Sequence, residues 1–192
     1  MAHLLHVEVG LAESLVKMDK SGAHVCKGLD ATKDNFLQNI KPTLKKYDKI
    51  VFATHGYFGK DLAPIMEPVL VLTLVPPGTD GFLRMTEVMG LNMNADIVAL
   101  TACQTGLGKK ISGEGTMGMG RAFQYAGARS VLMSLWSVHE VATMNLIKSF
   151  FRNMKEGRNK SEALAVARSE IRNNGFDHPF FWAGFILVGE PH

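Results

Sequence analysis

Short apolar runs alternate along this 192-residue chain with longer segments in which apolar residues recur every three or four positions. Short apolar runs bounded by turn residues are typical of buried strands, and the wider spacing is typical of helices that bury one face. Glycine and proline mark the boundaries, since neither readily continues a regular element. The pattern predicts strands over residues 4–9, 24–29, 50–54, 69–75, 97–100, 130–136 and 180–188. It predicts helices over residues 31–46, 84–91, 116–126, 140–155 and 161–174.

The alternation of strands and helices predicts an α/β fold with a mostly parallel sheet covered on both faces. The chain length suits one domain over residues 1–192, and no repeat or linker divides it. In the first predicted helix, Phe36, Ile40 and Leu44 share a face. Because proline lacks an N–H group and clashes with the preceding turn, Pro42 is expected to kink or split this helix.

Two of the predicted strands end at residues that carry chemistry. The first runs into His55 and Gly56, and the second runs through Thr101 to Cys103 and a glycine-containing loop. The carboxyl ends of parallel strands meet at one sheet edge, which is where open α/β folds bind ligands. An imidazole beside a thiol can take its proton and so generate a nucleophile. The sequence therefore predicts a cysteine-based active site made by His55 and Cys103.

Each of these residues also has a simpler interpretation. Taken alone, Cys103 fits a small buried hydrophobe at a strand end, and His55 fits a core histidine bonded to the backbone. The segment Gly113–Gly118 matches G-x-G-x-x-G, but it does not directly follow a strand, so a dinucleotide site is not predicted. We expect instead a flexible glycine-rich loop over residues 104–115, beside the active site.

Composition narrows the classes of function. The net charge is +3, and the basic clusters at residues 41–49 and 148–168 are interpreted as solvated helix faces, not as nucleic-acid sites. With only Cys26 and Cys103 there is no disulfide framework, which indicates a reducing, cytoplasmic location. No run approaches 18 apolar residues, so no membrane partner is expected.

Neither a metal nor a cofactor is expected. The histidines and cysteine near the amino terminus fit no standard zinc spacing. They are His3, His6, His24 and Cys26.

Four stretches together resemble the CHAT family of caspase-like cysteine peptidases, over residues 30–191. They read IVFATHG, DIVALTACQTGLG, GEGTMGMGRAFQYAGARSVLMSLWSV and HPFFWAGFILVGEP. The resemblance implies a caspase-like three-layer α/β/α sandwich, with His55 and Cys103 as the catalytic dyad. We expect the backbone N–H groups of Gly56 and Cys103 to form the oxyanion hole, because the attacked carbonyl needs donors already in place.

The resemblance also implies a substrate groove along the strand that ends at Trp136. In the family's peptidase relatives, acids just beyond this strand face the first substrate pocket, and the matching positions are His139 and Glu140. A carboxylate there would select Arg or Lys, so cleavage after a basic residue is expected, with Thr101 also lining the site. His139 departs from the family's more usual acid. The alternatives are an exposed Glu140 favoured by the helix dipole and a Trp136 that belongs to the core.

The resemblance further implies a cysteine endopeptidase acting on proteins, regulated by a partner. Such domains usually accompany tetratricopeptide repeat (TPR) or other sensor modules in bacteria. Residues 1–29 are shorter than the family's usual amino-terminal portion, which suggests a trimmed fragment, a processed subunit or a divergent member. The alternative function is a non-catalytic interaction module of the same family.

Overall fold

The structure, a computed structural model, describes residues 2–6, 24–57, 67–75, 80–101, 113–136 and 139–192. Only the backbone is described for residues 2–6, 113 and 114. Cys103 and most of the loop predicted around it lie outside these ranges.

Six strands of the described part form the main sheet, and all but the last pair are parallel. The strands are β1 (Ala2–His6), β2 (His24–Lys27), β3 (Lys49–Ala53), β7 (Ile97–Leu100), β8 (Ser130–Ser134) and β9 (Phe185–Gly189). Their spatial order is β2-β1-β3-β7-β8-β9, with β9 antiparallel to β8. Parallel neighbours require crossover connections, and helical segments occupy those from β2 to β3, from β3 to β7 and from β7 to β8. Two further helices lie between β8 and β9.

Alternate residues of β3 show why the sheet is covered on both sides. Ile50 and Phe52 belong to one buried apolar cluster, whereas Val51 and Ala53 belong to another. The rings of Phe36 and Phe123 lie 6.0 and 5.1 Å from that of Phe52 and close the first face. A continuous apolar run is what a strand buried on both faces requires. The result is a three-layer α/β/α arrangement.

The helices divide between the two faces. Helices α2 (Met85–Met89) and α3 (Gly113–Tyr125) pack on the first face. Helices α4 (Glu140–Lys155) and α5 (Lys160–Asn173) pack on the second. The segment before β3 changes type along its length, from an α-helical turn α1 (Lys33–Asn35) to a π-helix (Phe36–Ile40) and a 3₁₀-helix (Lys41–Lys46). The predicted break at Pro42 is confirmed, since the change of geometry falls beside it.

A second, antiparallel sheet of three short strands stands above the carboxyl end of β3. It comprises β4 (His55–Tyr57), β5 (Val69–Val71) and β6 (Phe82–Arg84), in that order. Leu70 and Leu83 bury their side chains in the first apolar cluster. This small sheet therefore packs on the same face as α3 and continues directly from a central strand.

Several of the predicted strand and helix boundaries were wrong. The glycine-rich segment at 113–115 is helical and not a loop, so α3 starts earlier than expected. Residues 69–75 contribute only three residues of strand, in the small sheet, and Phe82–Arg84 is a strand that was not predicted. Residues 180–184 are not strand, because Pro179–Phe181 forms a 3₁₀ turn, and residues 28–29 also lie in a 3₁₀ turn. The remaining strand and helix predictions agree with the structure to within two residues where it is described.

An ion pair between a buried lysine and a partly exposed aspartate lies at the amino end of β7. Lys160 is fully buried, and its Nζ lies 2.7 Å from a carboxylate oxygen of Asp96, just before β7. The same Nζ donates to the backbone carbonyl of His192 at 2.8 Å. Because a buried ammonium is costly without partners, this pair ties the start of α5 to the start of β7 and to the end of the chain.

Candidate active site

The carboxyl ends of β3, β7 and β8 meet at one edge of the main sheet. Phe52 is in register with Leu100, and Leu100 with Met133, so the three neighbouring strands end level with one another. His55, Thr101 and Trp136 follow these ends within two residues. Cys103 follows the end of β7 by three residues in sequence and lies outside the described residues. The predicted convergence of His55 and the strand that leads to Cys103 is therefore present.

His55 is held by the small sheet as well as by β3. It is the first residue of β4 and pairs with Val71, and its side chain is exposed, whereas Gly56 is buried. Thr54, between the two strands, is buried and donates its hydroxyl to the carbonyl of Val71. This hydrogen bond fixes the bend at which the chain leaves the main sheet. The interpretation of His55 as a buried core histidine does not fit its exposure.

Thr101 lies at the same edge, but its N–H and hydroxyl both face the neighbouring strand of the main sheet. It is buried, its N–H donates to the carbonyl of Phe52 at 3.1 Å, and its hydroxyl approaches the same carbonyl at 3.4 Å. These bonds continue the β3–β7 pairing past the end of β7. They fix the backbone at the end of β7, and the assignment of Thr101 to substrate binding stays a prediction.

Trp136 is half-buried against the segment that leads into β9. Its indole N–H donates to the carbonyl of Phe180 at 2.9 Å, and its ring lies over Gly184. A Cβ at Gly184 would approach the indole to 2.7 Å, so a side chain there would displace the ring. Leu135 donates its N–H to the carbonyl of Gly184 at 2.9 Å. These contacts fix the segment beyond β8 and give Trp136 a packing role at the edge of the site.

His139 and Glu140 begin α4 and are both exposed at this edge. The carbonyl of His139 accepts the N–H of Thr143 at 2.9 Å, which makes it the N-terminal capping position. Glu140 lies in the first helical turn, where a carboxylate is favoured by the helix dipole. Its placement fits both a selector of basic side chains and a helix-end carboxylate.

An aromatic group beside His139 was not predicted. The His139 ring centroid lies 6.0 Å from that of Phe176 and 6.2 Å from that of Phe181. Phe181 in turn packs on Phe176 at 5.2 Å and on Phe180 at 5.8 Å. The sequence analysis assigned Phe180 and Phe181 to a strand, but that strand starts only at Phe185.

A charged cluster anchors the small sheet that carries His55. The buried Lys33 ammonium lies 3.3 Å from Asp80 and 2.9 Å from Glu87, and Arg84 also pairs with Asp80. Glu87 accepts the N–H of Arg84 at 2.9 Å, which caps α2. We call Lys33, Asp80, Arg84 and Glu87 the Lys33 clasp. It ties α1, β6 and α2 together beneath the strand pair that supports His55.

Ion pairing within the Lys33 clasp shifts the pKa values of Asp80 and Arg84. The hydrogen bond from Arg84 lowers the pKa of Asp80 to about 2, helped by the N–H of Phe82 and the ammonium of Lys33. The same interaction raises the pKa of Arg84. In the described ranges, no three His, Cys, Asp or Glu side chains form a group suited to a metal ion. None of the helices described there is long and apolar enough to cross a membrane.

Comparison with known proteins places the chain in a family. A family model described as the CHAT domain matches residues 3–190. Tetratricopeptide repeat protein 28 of Homo sapiens is 34% identical over 115 residues, which cover 59% of this chain and 5% of that protein. Its counterpart in Mus musculus is 30% identical over 115 residues, with the same coverage. The chain thus spans a very small part of these relatives.

Two solved structures share the fold. The separase–securin complex of Saccharomyces cerevisiae superposes with a TM-score of 0.59 at 15% identity, covering 99% of this chain and 12% of that one. The Arg-specific cysteine proteinase gingipain R superposes with a TM-score of 0.61 at 11% identity, covering 99% of this chain and 46% of that one. At these identities the likeness establishes a caspase-like α/β fold and nothing about the reaction.

The Lys33 clasp predicts an acid-dependent loss of stability. Because the pKa of Asp80 is about 2 in the folded chain and near 4 in the unfolded one, its contribution is present above about pH 4 and is lost as the pH falls toward 2. Asp80 is 39% exposed, so solvent screening reduces this contribution to about 1 kcal/mol. We expect Asp80→Asn to lower the free energy of unfolding at pH 7 by that amount.

Urea denaturation at pH 7 and pH 3 measures this effect. The difference between wild type and Asp80→Asn should shrink at pH 3, whereas the exposed Asp177→Asn variant should keep the wild-type difference between the two pH values. An equal loss for Asp80→Asn at both pH values would contradict an electrostatic role for the clasp.

Proposed function

Because the chain belongs to the CHAT domain family and has a caspase-like fold, we propose that it is a cysteine endopeptidase with His55 and Cys103 as its dyad. One observation carries the proposal. The exposed His55 follows β3, and β3 ends at the same height in the sheet as its neighbour β7, the strand that precedes Cys103 in sequence. Parallel pairing in register leaves only a few residues between each strand end and its functional side chain. A histidine and a thiol delivered in this way meet the requirement for an activated nucleophile.

The reaction follows from the chemistry of the two side chains. His55 accepts the proton of the Cys103 thiol, and the sulfur attacks the carbonyl carbon of the scissile peptide bond. The C–N bond then breaks as His55 gives the proton to the leaving amine, which leaves an acyl-enzyme thioester. Water attacks the thioester, His55 accepts its proton, and the released thiolate restores the dyad.

The tetrahedral intermediates place negative charge on the former carbonyl oxygen. We assign its stabilisation to the backbone N–H groups of Gly56 and Cys103. Gly56 is the central residue of β4 and pairs with Leu70 of β5, so its backbone is fixed before substrate binds. A donor that needs no reorganisation stabilises the oxyanion most effectively.

Glu140 is proposed to select a basic side chain before the cleaved bond. It is exposed at the start of α4, at the edge where β8 ends, and among the described residues it has no ion-pair partner. A carboxylate in that position can form a charge-assisted pair with Arg or Lys. His139 and Trp136 are proposed to border the same pocket, with Thr101 at its base.

We further propose that the chain works together with a tetratricopeptide repeat or other sensor module. The 34% identity to a protein named for such repeats supports this partnership. In that case, the substrate is another protein or a companion chain, and the partner regulates access to Cys103. A non-catalytic interaction module would share the fold but would not need the dyad.

Alkylation of Cys103 tests the dyad directly. With iodoacetamide at pH 7, Cys103 should react at least about tenfold faster than the buried Cys26, because a paired thiol supplies more thiolate. Burial raises the pKa of the Cys26 thiol and makes it an internal reference. His55→Ala should remove most of the advantage of Cys103, as measured by intact mass and peptide mapping.

His192→Ala is the matched control, since His192 is an exposed histidine by the opposite sheet edge. It should leave the alkylation rate of Cys103 unchanged. If His55→Ala has no larger effect than His192→Ala, the dyad is wrong and the interaction module becomes the better description.

Paired peptidyl chloromethyl ketones test Glu140. An inhibitor ending in Arg should label Cys103 faster than one ending in Leu, and Glu140→Gln should reduce that preference by about tenfold or more. The exposed Glu190→Gln variant should retain the preference. If Glu140→Gln keeps it as well, the carboxylate serves the helix end only, and the selector lies elsewhere.

A further inference from the structure

Four aromatic side chains form a preassembled surface at the carboxyl edge of the main sheet. We call His139, Phe176, Phe180 and Phe181 the aromatic shelf. Phe181 is central, with ring centroids 5.2, 5.8 and 6.2 Å from those of Phe176, Phe180 and His139. Edge-to-face and tilted packing at these distances is favourable for aromatic rings. The rings therefore hold one another in place without a ligand.

Hydrogen bonds attach this shelf to the segments that flank the site. The carbonyl of Phe180 accepts the indole N–H of Trp136 at 2.9 Å, and the N–H of Phe180 donates to the His178 ring at 3.2 Å. The 3₁₀ turn Pro179–Phe181 restricts the backbone further. The shelf thus lies directly beside the chain that leaves β8, continuous with the edge that carries His55.

The shelf leaves apolar surface open to solvent. Phe180 is 46% exposed although it packs against Phe181, and His139 is exposed as well. The neighbouring cation is engaged elsewhere, since the Arg172 guanidinium lies 5.2 Å from the centre of the Trp182 ring. A fixed aromatic surface next to the edge that carries His55 favours burial of an apolar side chain.

The aromatic shelf lies close enough to Glu140 for one extended peptide to contact both. His139 is adjacent in sequence to the proposed selector, and the ring of Phe181 lies 6.2 Å from that of His139. An extended chain advances about 3.3 Å per residue, so a substrate whose basic side chain meets Glu140 places another side chain over the shelf within two or three residues. We infer that the aromatic shelf binds an apolar side chain of the substrate near the cleaved bond. This inference rests on the proposed peptidase function.

The test compares tripeptidyl chloromethyl ketones that all end in Arg. One series carries Phe at the second or third position from the reacting group, and the matched series carries Ser. In the wild type, the better Phe probe should label Cys103 about tenfold faster than its Ser counterpart. Phe180→Ala should reduce that ratio to near one, and Phe180→Leu should restore part of it.

Tyr125→Ala is the matched control. Tyr125 is an aromatic residue with 75% exposure at the carboxyl end of α3, and the chain then enters β8 at the other edge of the sheet. This variant should keep the wild-type ratio. Circular dichroism and the iodoacetamide rate at Cys103 should be the same in all four proteins, which shows that the fold and the dyad are intact.

The outcomes separate the two proposals. A wild type without preference for Phe, or a Phe180→Ala variant that retains it, overturns the shelf while leaving the dyad in place. If iodoacetamide labelling of Cys103 does not depend on His55, the peptidase function fails, and the shelf as a substrate site fails with it.

Discussion

The parallel pairing of β3, β7 and β8 is the constraint on which the active edge depends. All four residues of β7 are buried, and alternate residues of β3 enter separate apolar clusters on the two faces. A slip of one residue would exchange those faces and disrupt both clusters, so the register is strongly specified. Since the three strands end level, the register also fixes where His55, Thr101 and Trp136 emerge. The packing that forms the core therefore also positions the residues of the candidate site.

The small antiparallel sheet also determines the position of His55. It takes the chain directly from β3, holds His55 opposite Val71, and is anchored through the Lys33 clasp to α1 and α2. The hydroxyl of Thr54 completes the connection at the bend. Charged and polar contacts therefore add to the burial of Leu70 and Leu83 in positioning this sheet, whereas the strands below it depend on apolar burial. Changes in the clasp are thus expected to affect the orientation of His55 without unfolding the main sheet.

The pattern of apolar residues was sufficient for the central sheet and its covering helices. Continuous apolar runs such as Ile97–Leu100 and the helical spacing over Glu140–Lys155 leave little choice of structure. The small sheet was harder, because Phe82–Arg84 is too short to show a period, and its stability comes from contacts with residues distant in sequence. The start of α3 at Gly113 was missed because glycine usually interrupts helices.

The elements that surround the candidate site could be predicted from the sequence to different degrees. The convergence of His55 with the end of β7 depends on parallel pairing, which the alternation of elements implies, and on the adjacency of β3 and β7, which the structure adds. The position of Glu140 at a helix start also follows from sequence, but its proposed role in selection does not. The aromatic shelf depends on packing between the start of α4 and the segment before β9, which are far apart in the chain. No local pattern could have predicted that contact.

The distance between a ring nitrogen of His55 and Sγ of Cys103 is the quantity that tests the central claim most directly. A crystal structure of the protein would measure it, and a second structure after alkylation by an Arg chloromethyl ketone would measure it with the site occupied. The dyad predicts a separation of about 4 Å or less in the occupied site, close enough for proton transfer as the sulfur reacts. A separation well beyond hydrogen-bond reach, with His55 directed away from the modified sulfur, would contradict a catalytic pair.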